Sequence, residues 1–378
     1  MSSRASQTSL SPSRRAASSR VRLVMTRVRG VTIFRKSTMT RPFSDPGENS
    51  RRRGKFPPLA VFGPASHHGP LREEDVREAK FIYWSDLHAE KRDWPPVTPR
   101  PDDPGAPGDA DGILIAGDLA PAGRIADLCG LVWADWRVPV ICVEGNHDLY
   151  GSRKRAVHKI RAANDDSFAR WRAAGAEISL LRRGGSVVVA GTRIVGATLW
   201  TDLRLNPAVP PAAAAAHAER VMNDHKHIHM RIGGVTRKAR ASDLVAEHRA
   251  DVAGVRAACA EPFGGPTIVM THHLPLAACL DRRYATPADM ADNASYASDL
   301  TGLVREIRAD AWVFGHSHSG QDLDLRVGDD AFTAFRTNPL GYPHEETAFD
   351  PWKTISVPVP GPAAEPDPGP REDDGPAP

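Results

Sequence analysis

The chain has 378 residues, of which 41% are hydrophobic and 25% are charged, and its formal net charge at neutral pH is +3. That much apolar sequence can form the core of one large domain or of two ordinary ones. No apolar run approaches the ~20 residues of a membrane-spanning helix, and the four cysteines lack zinc-finger or disulfide spacing, which favours a reducing cytoplasm without membrane association.

The chain begins with a basic segment. Residues 1–55 contain 14 Lys and Arg against Asp45 and Glu48, a local charge of +12, so the other 323 residues carry −9. High charge with low hydrophobicity predicts disorder, and residues 1–78 are therefore expected to form a disordered basic arm and linker. The arm could be a transit peptide, a nucleic-acid-binding segment or, as the favoured interpretation, an extension outside the functional domain.

Beyond the arm, short apolar runs alternate with helical patterns up to a Pro-rich and acidic segment, 359–378, which is expected to be a disordered tail. The predicted strands are 80–84, 112–116, 138–143, 186–190, 193–198, 266–270 and 311–314. The predicted helices are 121–136, 152–174, 242–260 and 298–309. Strands and helices mixed in this way within one core predict an α/β sandwich.

Polar motifs follow five of these strands. In chain order they are Ser85-Asp86-Leu87-His88, Gly117-Asp118, Gly145-Asn146-His147-Asp148, Thr271-His272-His273 and Gly315-His316-Ser317-His318. Their donors are oxygens and imidazoles without a thiolate, a set that suits manganese, iron or zinc. Because α/β folds place ligand sites at the carboxyl ends of their strands, the five motifs are expected to converge.

Spacing inside the motifs supports a shared metal site. If 86–88 is extended, Asp86 and His88 project to the same side and can hold one ion, and the pair His316 and His318 repeats that spacing. Glycines before the motif residues permit sharp turns. Each motif alone is weak evidence, because a lone Asp-x-His is usually a surface or hydrogen-bonded pair, but five in order favour one metal centre.

These motifs resemble those of the calcineurin-like metallophosphoesterases, whose pattern is Asp-x-His, Gly-Asp, Gly-Asn-His-(Asp/Glu), His and Gly-His-x-His. The resemblance covers about residues 79–358. Segments such as Met222-Asn223-Asp224 and Asn338-Pro339-Leu340-Gly341-Tyr342 are similar to a little-characterised bacterial branch of that family. The resemblance implies a four-layer α/β/β/α sandwich with two metal ions.

Carried over residue by residue, the family pattern implies seven metal ligands. The first ion would be held by Asp86, His88 and His318, the second by Asn146, His272 and His316, and Asp118 would bridge both. His147 would protonate the leaving group, with Asp148 orienting its ring or supporting its charge. The adjacent His273 would lie behind the ligands or on the substrate side.

Two hypotheses for function remain. The first is hydrolysis of a phosphomonoester or phosphodiester by metal-activated hydroxide, with two ions of manganese, iron or zinc as cofactors. The alternative is a non-catalytic protein that keeps the fold and binds nucleic acid through its basic arm. Since all seven ligand positions are filled, the enzyme is favoured. The alternating His225, His227 and His229 are expected in a solvated loop or on one strand face, and the segments 200–245 and 276–297 are expected to select the substrate.

Overall fold

The computed structural model describes residues 22–28, 31–37, 76–93, 98–120, 122–151, 155–284, 290–329 and 331–361. The chain forms two units, residues 1–57 and 58–378. In the first unit, strands β1 (Arg22–Val28) and β2 (Val31–Ser37) pair antiparallel. Most of the predicted arm and tail, 1–78 and 359–378, lies outside the described residues, so those domain limits stay a prediction.

The strands described in the second unit extend from residue 76 to residue 360. They are β3 (Val76–Trp84), β4 (Gly112–Ala116), β5 (Val140–Val143), β6 (Ile178–Leu181), β7 (Gly185–Val189), β8 (Thr192–Ala197), β9 (His229–Ile232), β10 (Val235–Lys238), β11 (Thr267–Thr271), β12 (Ala311–Val313), β13 (Gln321–Arg326), β14 (Phe332–Thr337) and β15 (Thr354–Pro360).

Helices lie in five of the connections between these described strands. They are α1 (Ile125–Trp136), α2 (Val157–Ala173), α3 (Pro211–Val221), α4 (Asp224–His227), α5 (Ala241–Ala260), α6 (Met290–Asn293) and α7 (Thr301–Ile307). Single 3-10 turns occur at Ala89–Lys91, His147–Leu149, Ala277–Cys279 and Arg282–Tyr284. Across the described part of the chain, none of these helices is both long enough and apolar enough to cross a membrane.

Two large sheets form the centre of the second unit. The first has the spatial order β15-β3-β4-β5-β6, in which β3 to β6 are parallel and β15 pairs antiparallel with β3. The second has the order β13-β14-β12-β11-β8-β7, with β14, β12, β11 and β8 parallel. Strands β4 and β5 are apolar and buried along their whole length, as expected of parallel strands covered on both faces.

The two sheets pack face to face. Phe81 and Leu114 of the first sheet share one apolar core with Met270 and Val313 of the second. On the outer face of the second sheet, another core joins its strands to α5 and α7, while α1 and α2 lie against β5 and β6 of the first. The order of layers is therefore helix, sheet, sheet, helix, which confirms the predicted four-layer α/β/β/α sandwich.

Most elements predicted from the apolar runs are present within a few residues of the expected positions. The predicted hairpin is formed by β7 and β8, which pair antiparallel. The histidines between residues 225 and 229 differ from expectation, because His225 and His229 are buried. His225 lies in α4 and donates from Nδ1 to the carbonyl of Ala239, so it is a structural residue of this segment.

Candidate metal centre

The motifs converge at one edge of the sandwich because each follows a strand whose carboxyl end points there. β3, β4 and β5 deliver the first three motifs, and β11 and β12 deliver the last two. Two groups of three residues each offer ligand atoms within 4.8 Å of one another. The groups are Asp86, His88 and His318, and Asp118, His272 and His316.

The loops carrying these residues have a backbone that their sequence does not suggest. Asp86, His88, Asp118, His316 and His318 all have positive φ angles, between 42° and 68°. The expected extended conformation at 86–88 is therefore wrong. Left-handed backbone costs roughly 1–2 kcal/mol per residue outside glycine, and such residues persist where the surrounding structure holds them, commonly at functional sites.

Hydrogen bonds between loops hold this backbone. The amide of Asp86 donates to the carbonyl of Gly117 at 3.0 Å, and the amide of His88 donates to the carbonyl of Asp118 at 2.9 Å. From the far end of the chain, residues 338–341 bond to the backbone of Ser85 and Asp86. The ligand loops therefore brace one another.

Gly145 is required by close approach. A Cβ atom added there would collide with the carboxylate and backbone nitrogen of Asp118. Only glycine lets the loop after β5 pass so near the loop after β4, and this contact brings Asn146 beside the other candidate ligands.

The first group brings two imidazoles against one carboxylate. The Nε2 atoms of His88 and His318 lie 3.0 Å apart, and Asp86 accepts the backbone N–H of His316 at 3.0 Å. Each ring also has a carboxylate at Nδ1, from Glu90 at 2.8 Å and from Glu345 at 2.6 Å. Outer carboxylates of this kind orient metal-binding histidines so that the opposite nitrogen faces the ion.

Asp86 and His318 of this first group shift each other's pKa. Burial opposes ionisation of Asp86, but the His318 ring beside it lowers the pKa of that carboxyl. For His318, burial lowers the pKa, while the hydrogen bonds and charges of Asp86 and Glu345 outweigh it and raise the pKa to about 9. A cation bound at Nε2 of His318 would take the place of the proton that faces Asp86, while Nδ1 keeps its hydrogen bond to Glu345.

At the second group, His272 and the neighbouring Asn146 bring two acceptor atoms face to face. His272 donates from Nδ1 to the carbonyl of Ala116 at 2.9 Å, and burial lowers its pKa to about 4, so its Nε2 carries a lone pair. That Nε2 lies 3.0 Å from Oδ1 of Asn146, which cannot donate either. Nε2 of His316 is also buried, and no described residue forms a hydrogen bond with it. A cation satisfies all three atoms, so these donors fit a metal ion.

Asp118, a member of the second group, also faces the first. Its Oδ2 is 3.6 Å from Nε2 of His88, and its Oδ1 is 3.5 Å from Nε2 of His272. The side chain is 1% exposed, and burial raises the pKa of its carboxyl. A buried carboxylate with one oxygen toward each group has the geometry of a bridging ligand.

His147 lies at the margin of the first group. Its Nδ1 is 3.1 Å from Oε1 of Glu90, and its Nε2 is 3.1 Å from the hydroxyl of Tyr342. Burial lowers the pKa of His147, but the hydrogen bond to Glu90 and nearby carboxylates raise it overall. His88, Glu90 and His147 also form a third cluster of ligand atoms within 4.8 Å.

Asp148 has a different environment from the one expected. Its carboxylate accepts backbone N–H groups of Leu119, Ala120 and Gly145 at 2.8–3.0 Å, which ties the loop after β4 to the loop after β5. Burial raises the pKa of Asp148 to about 8. The carboxylate hydrogen-bonded to the His147 ring is that of Glu90.

His273 lies beside the second group with its Nδ1 directed away from it. Its Nδ1 donates to the carbonyl of Thr198 at 3.2 Å. The His273 ring is buried, and its centroid lies 4.3 Å from that of the His316 ring. Of the two adjacent histidines, His272 is the one grouped with Asp118 and His316.

Four residues of the site were missed from the sequence: Glu90, Asp224, Tyr342 and Glu345. Glu90 continues the alternation of Asp86 and His88, so its spacing offered a signal. Asp224 and Tyr342 fall in segments that resemble the bacterial branch, but nothing local in those segments indicates a role at the site.

Comparison with known proteins agrees with this geometry. The calcineurin-like phosphoesterase family matches residues 79–320, and no curated protein matches the chain. The crystal structure of the phosphopantetheinyl hydrolase PptH from Mycobacterium tuberculosis is similar, with 19% identity and a TM-score of 0.52 over 77% of this chain and 99% of that one. A second solved structure covers 68% of this chain and 90% of its own at 12% identity and a TM-score of 0.34, a likeness too remote to carry a conclusion.

The likeness to PptH concerns the fold alone. The family match spans more than half of the chain and contains all seven expected ligands. Both ligand groups, including Asp118, lie inside the matched residues. The chain therefore belongs to the calcineurin-like phosphoesterase family, a family of metal-dependent hydrolases of phosphoester bonds.

Proposed function

We propose that the protein hydrolyses a phosphate ester at a dinuclear metal centre, with His147 as the general acid. The observation that carries this proposal is the position of Asp118, whose two carboxylate oxygens face two separate groups of donors. A single-ion site needs no such carboxylate. Either manganese, iron or zinc suits the mixed imidazole and oxygen donors.

The residues that would hold the ions are those of the two groups together with Asn146. They are Asp86, His88 and His318 for one ion, Asn146, His272 and His316 for the other, and Asp118 for both. When bound, such ions polarise the P–O bonds of the ester and lower the pKa of water so that it can act as the nucleophile at neutral pH.

His147 supplies the proton that the leaving oxygen needs. The Glu90 carboxylate can only accept, so it fixes a hydrogen on Nδ1 and turns Nε2 toward the position held by the Tyr342 hydroxyl. A leaving oxygen that displaces this hydroxyl would lie within hydrogen-bond reach of Nε2. In this arrangement Glu90 orients the ring, and Asp148 fixes the two loops that place His147 and Asp118.

A turnover screen of the purified full-length chain with manganese tests the proposal. The substrates are p-nitrophenyl phosphate, bis-p-nitrophenyl phosphate, cyclic nucleotides, single-stranded DNA and, because of the name of the structurally similar protein, a phosphopantetheinyl ester. Comparison of the first two separates monoesterase from diesterase activity.

Matched aspartate variants provide the control. Asp118→Asn removes one negative charge from the proposed bridging position and should abolish turnover, whereas Asp166→Asn makes the same change on the exposed face of α2 and should leave turnover intact. A protein that binds two ions yet hydrolyses none of these esters would favour the non-catalytic alternative.

A further inference from the structure

Asp224 is a buried carboxylate in α4 that accepts a hydrogen bond from Asn146, a proposed ligand of the second ion. It is 4% exposed, and its Oδ1 accepts a hydrogen bond from Nδ2 of Asn146 at 2.8 Å and another from the hydroxyl of Tyr150 at 2.7 Å. We propose that Asp224 is a positioning residue, which fixes the amide of Asn146 so that its oxygen faces the metal. The inference rests on the proposed second ion.

The two faces of the Asn146 amide have different partners. Its NH2 group has acceptors in Oδ1 of Asp224 and in the hydroxyl of Tyr150, the latter at 3.2 Å. Its oxygen lies 3.0 Å from the lone pair on Nε2 of His272. Only the amide oxygen can bind a cation, so one of the two amide orientations binds metal and the other does not.

Without Asp224, the opposite orientation would be favourable in the metal-free protein. Rotation of the amide by half a turn would let Nδ2 donate to Nε2 of His272, closing the second position with an ordinary hydrogen bond. When Asp224 is present, the same rotation would turn Oδ1 of Asn146 toward Oδ1 of Asp224, so that two acceptors face each other. Asp224 therefore disfavours the closed orientation and keeps the position open for an ion.

The residue comes from a part of the chain outside the five motifs. α4 lies in the segment between β8 and α5, and the amide of Ile228 at its end donates to the carbonyl of Asp224. Two hydrogen bonds hold the segment further. His225 donates to the carbonyl of Ala239, and the hydroxyl of Tyr150 donates to Asp224. This segment therefore acts on metal binding without supplying a ligand.

The test compares manganese binding to the full-length protein and its variants by titration calorimetry after metal removal. Asp224→Leu removes the acceptor at similar size, and we expect it to keep one ion while the affinity for the other falls about 10–100-fold, as for other residues that orient metal ligands. Asp224→Asn keeps an acceptor oxygen and should bind both ions almost as the wild type does.

A second background separates positioning from a general structural effect. Asn146→Asp presents an oxygen in either orientation of the side chain, so the loss caused by Asp224→Leu should disappear in that background. Melting temperatures of the metal-free variants verify that each is folded.

Three results would overturn the inference: wild-type affinity for both ions in Asp224→Leu, an equal loss in Asp224→Asn, or an undiminished loss in the Asn146→Asp background. If the wild type itself binds only one ion, the dinuclear proposal fails as well, and this outcome is distinct from the first three.

Discussion

The hydroxyl of Tyr342 lies 3.1 Å from Nε2 of His147, although 195 positions separate the two residues in the chain. The same tyrosine ring lies 4.4 Å from the ring of His88 and 4.8 Å from that of His318, measured between centroids. Its backbone N–H donates to Glu345, which also contacts His318. Tyr342 therefore packs against the first ligand group, and its hydroxyl is hydrogen-bonded to the nitrogen from which the proposed general acid would donate its proton.

Replacing His147 with alanine distinguishes an acid from a ligand. We expect His147→Ala to retain two ions while turnover falls about 10²–10⁴-fold, the usual contribution of a positioned acid. The loss should be smaller for p-nitrophenyl esters, whose leaving group departs as an anion, than for alkyl or nucleoside esters. Metal analysis and rates on two such esters check this. Loss of an ion, or equal slowing of both esters, would make His147 a ligand or a phosphate contact.

Tyr342→Phe is the companion change. It keeps the ring over His88 and His318 and removes only the hydroxyl at Nε2 of His147. We expect both ions to stay bound and turnover to change far less than in His147→Ala, because the acid itself remains. A loss as large as that of His147→Ala would show that the hydroxyl takes part in proton transfer.

The adjacent pair His272 and His273 offers another matched comparison. We expect His272→Ala to lose one of two ions, because Nε2 of His272 is one of the facing acceptors beside Asp118. His273→Gln keeps a donor for the carbonyl of Thr198 and should retain both ions. Metal content after dialysis against trace manganese measures the difference, and the reverse pattern would reassign the ligand.

Asp251 predicts a pH dependence of stability away from the metal centre. Its carboxylate in α5 accepts the amide of Leu199 at 2.8 Å, and burial raises its pKa to about 7. An unfolded aspartate has a pKa of about 3.9. Between these values the folded state binds a proton that the unfolded state releases, so this residue's contribution to the free energy of unfolding decreases as pH rises from about 4 to about 7.

Asp251→Asn tests that sign. The amide keeps an acceptor for Leu199 and does not titrate, so the variant should gain stability relative to the wild type as pH rises through the same range. Urea unfolding of both metal-free proteins from about pH 4 to pH 7.5 gives the difference. A difference independent of pH would mean that Asp251 has an ordinary pKa in the folded protein.

Removal of the basic arm should not affect the chemistry. All proposed ligands lie at or after Asp86, so we expect deletion of residues 2–70 to leave turnover of small esters unchanged. If the arm binds nucleic acid, the full-length chain should bind single-stranded DNA with an affinity that falls steeply with salt, and the deletion should remove that binding. A folded but inactive deletion variant would place the arm at the site.

The convergence of the five motifs could be predicted because each follows an apolar strand, and the carboxyl ends of parallel strands meet at one edge of the sheet. The left-handed backbone conformation at the motif residues could not be predicted from the sequence. Asp and His adopt left-handed φ angles more often than most residues, but hydrogen bonds from distant loops hold Asp86, His88 and Asp118 there, and no local pattern indicates those bonds.

The hydrogen-bond partners of the site residues were out of reach for a similar reason. Asp224 is 78 positions from Asn146, and Tyr342 is 195 positions from His147. Neither segment has a local pattern that indicates such a partner, because the pairing is created by the fold. The expectation for Asp148 shows the same limit, since its sequence position beside His147 does not reveal that its carboxylate accepts backbone amides.

The bonds between residues 338–341 and the loop after β3 also constrain when the centre can form. Asn338 donates to the carbonyl of Tyr83, 255 positions earlier, and β15 completes the sheet edge beside β3. During synthesis, the loop with Asp86 and His88 emerges from the ribosome long before these partners exist. The loop with Asp86 and His88 therefore lacks the bonds that hold its backbone until residues 338–341 have been synthesised, so the candidate site is completed late in the synthesis of its domain.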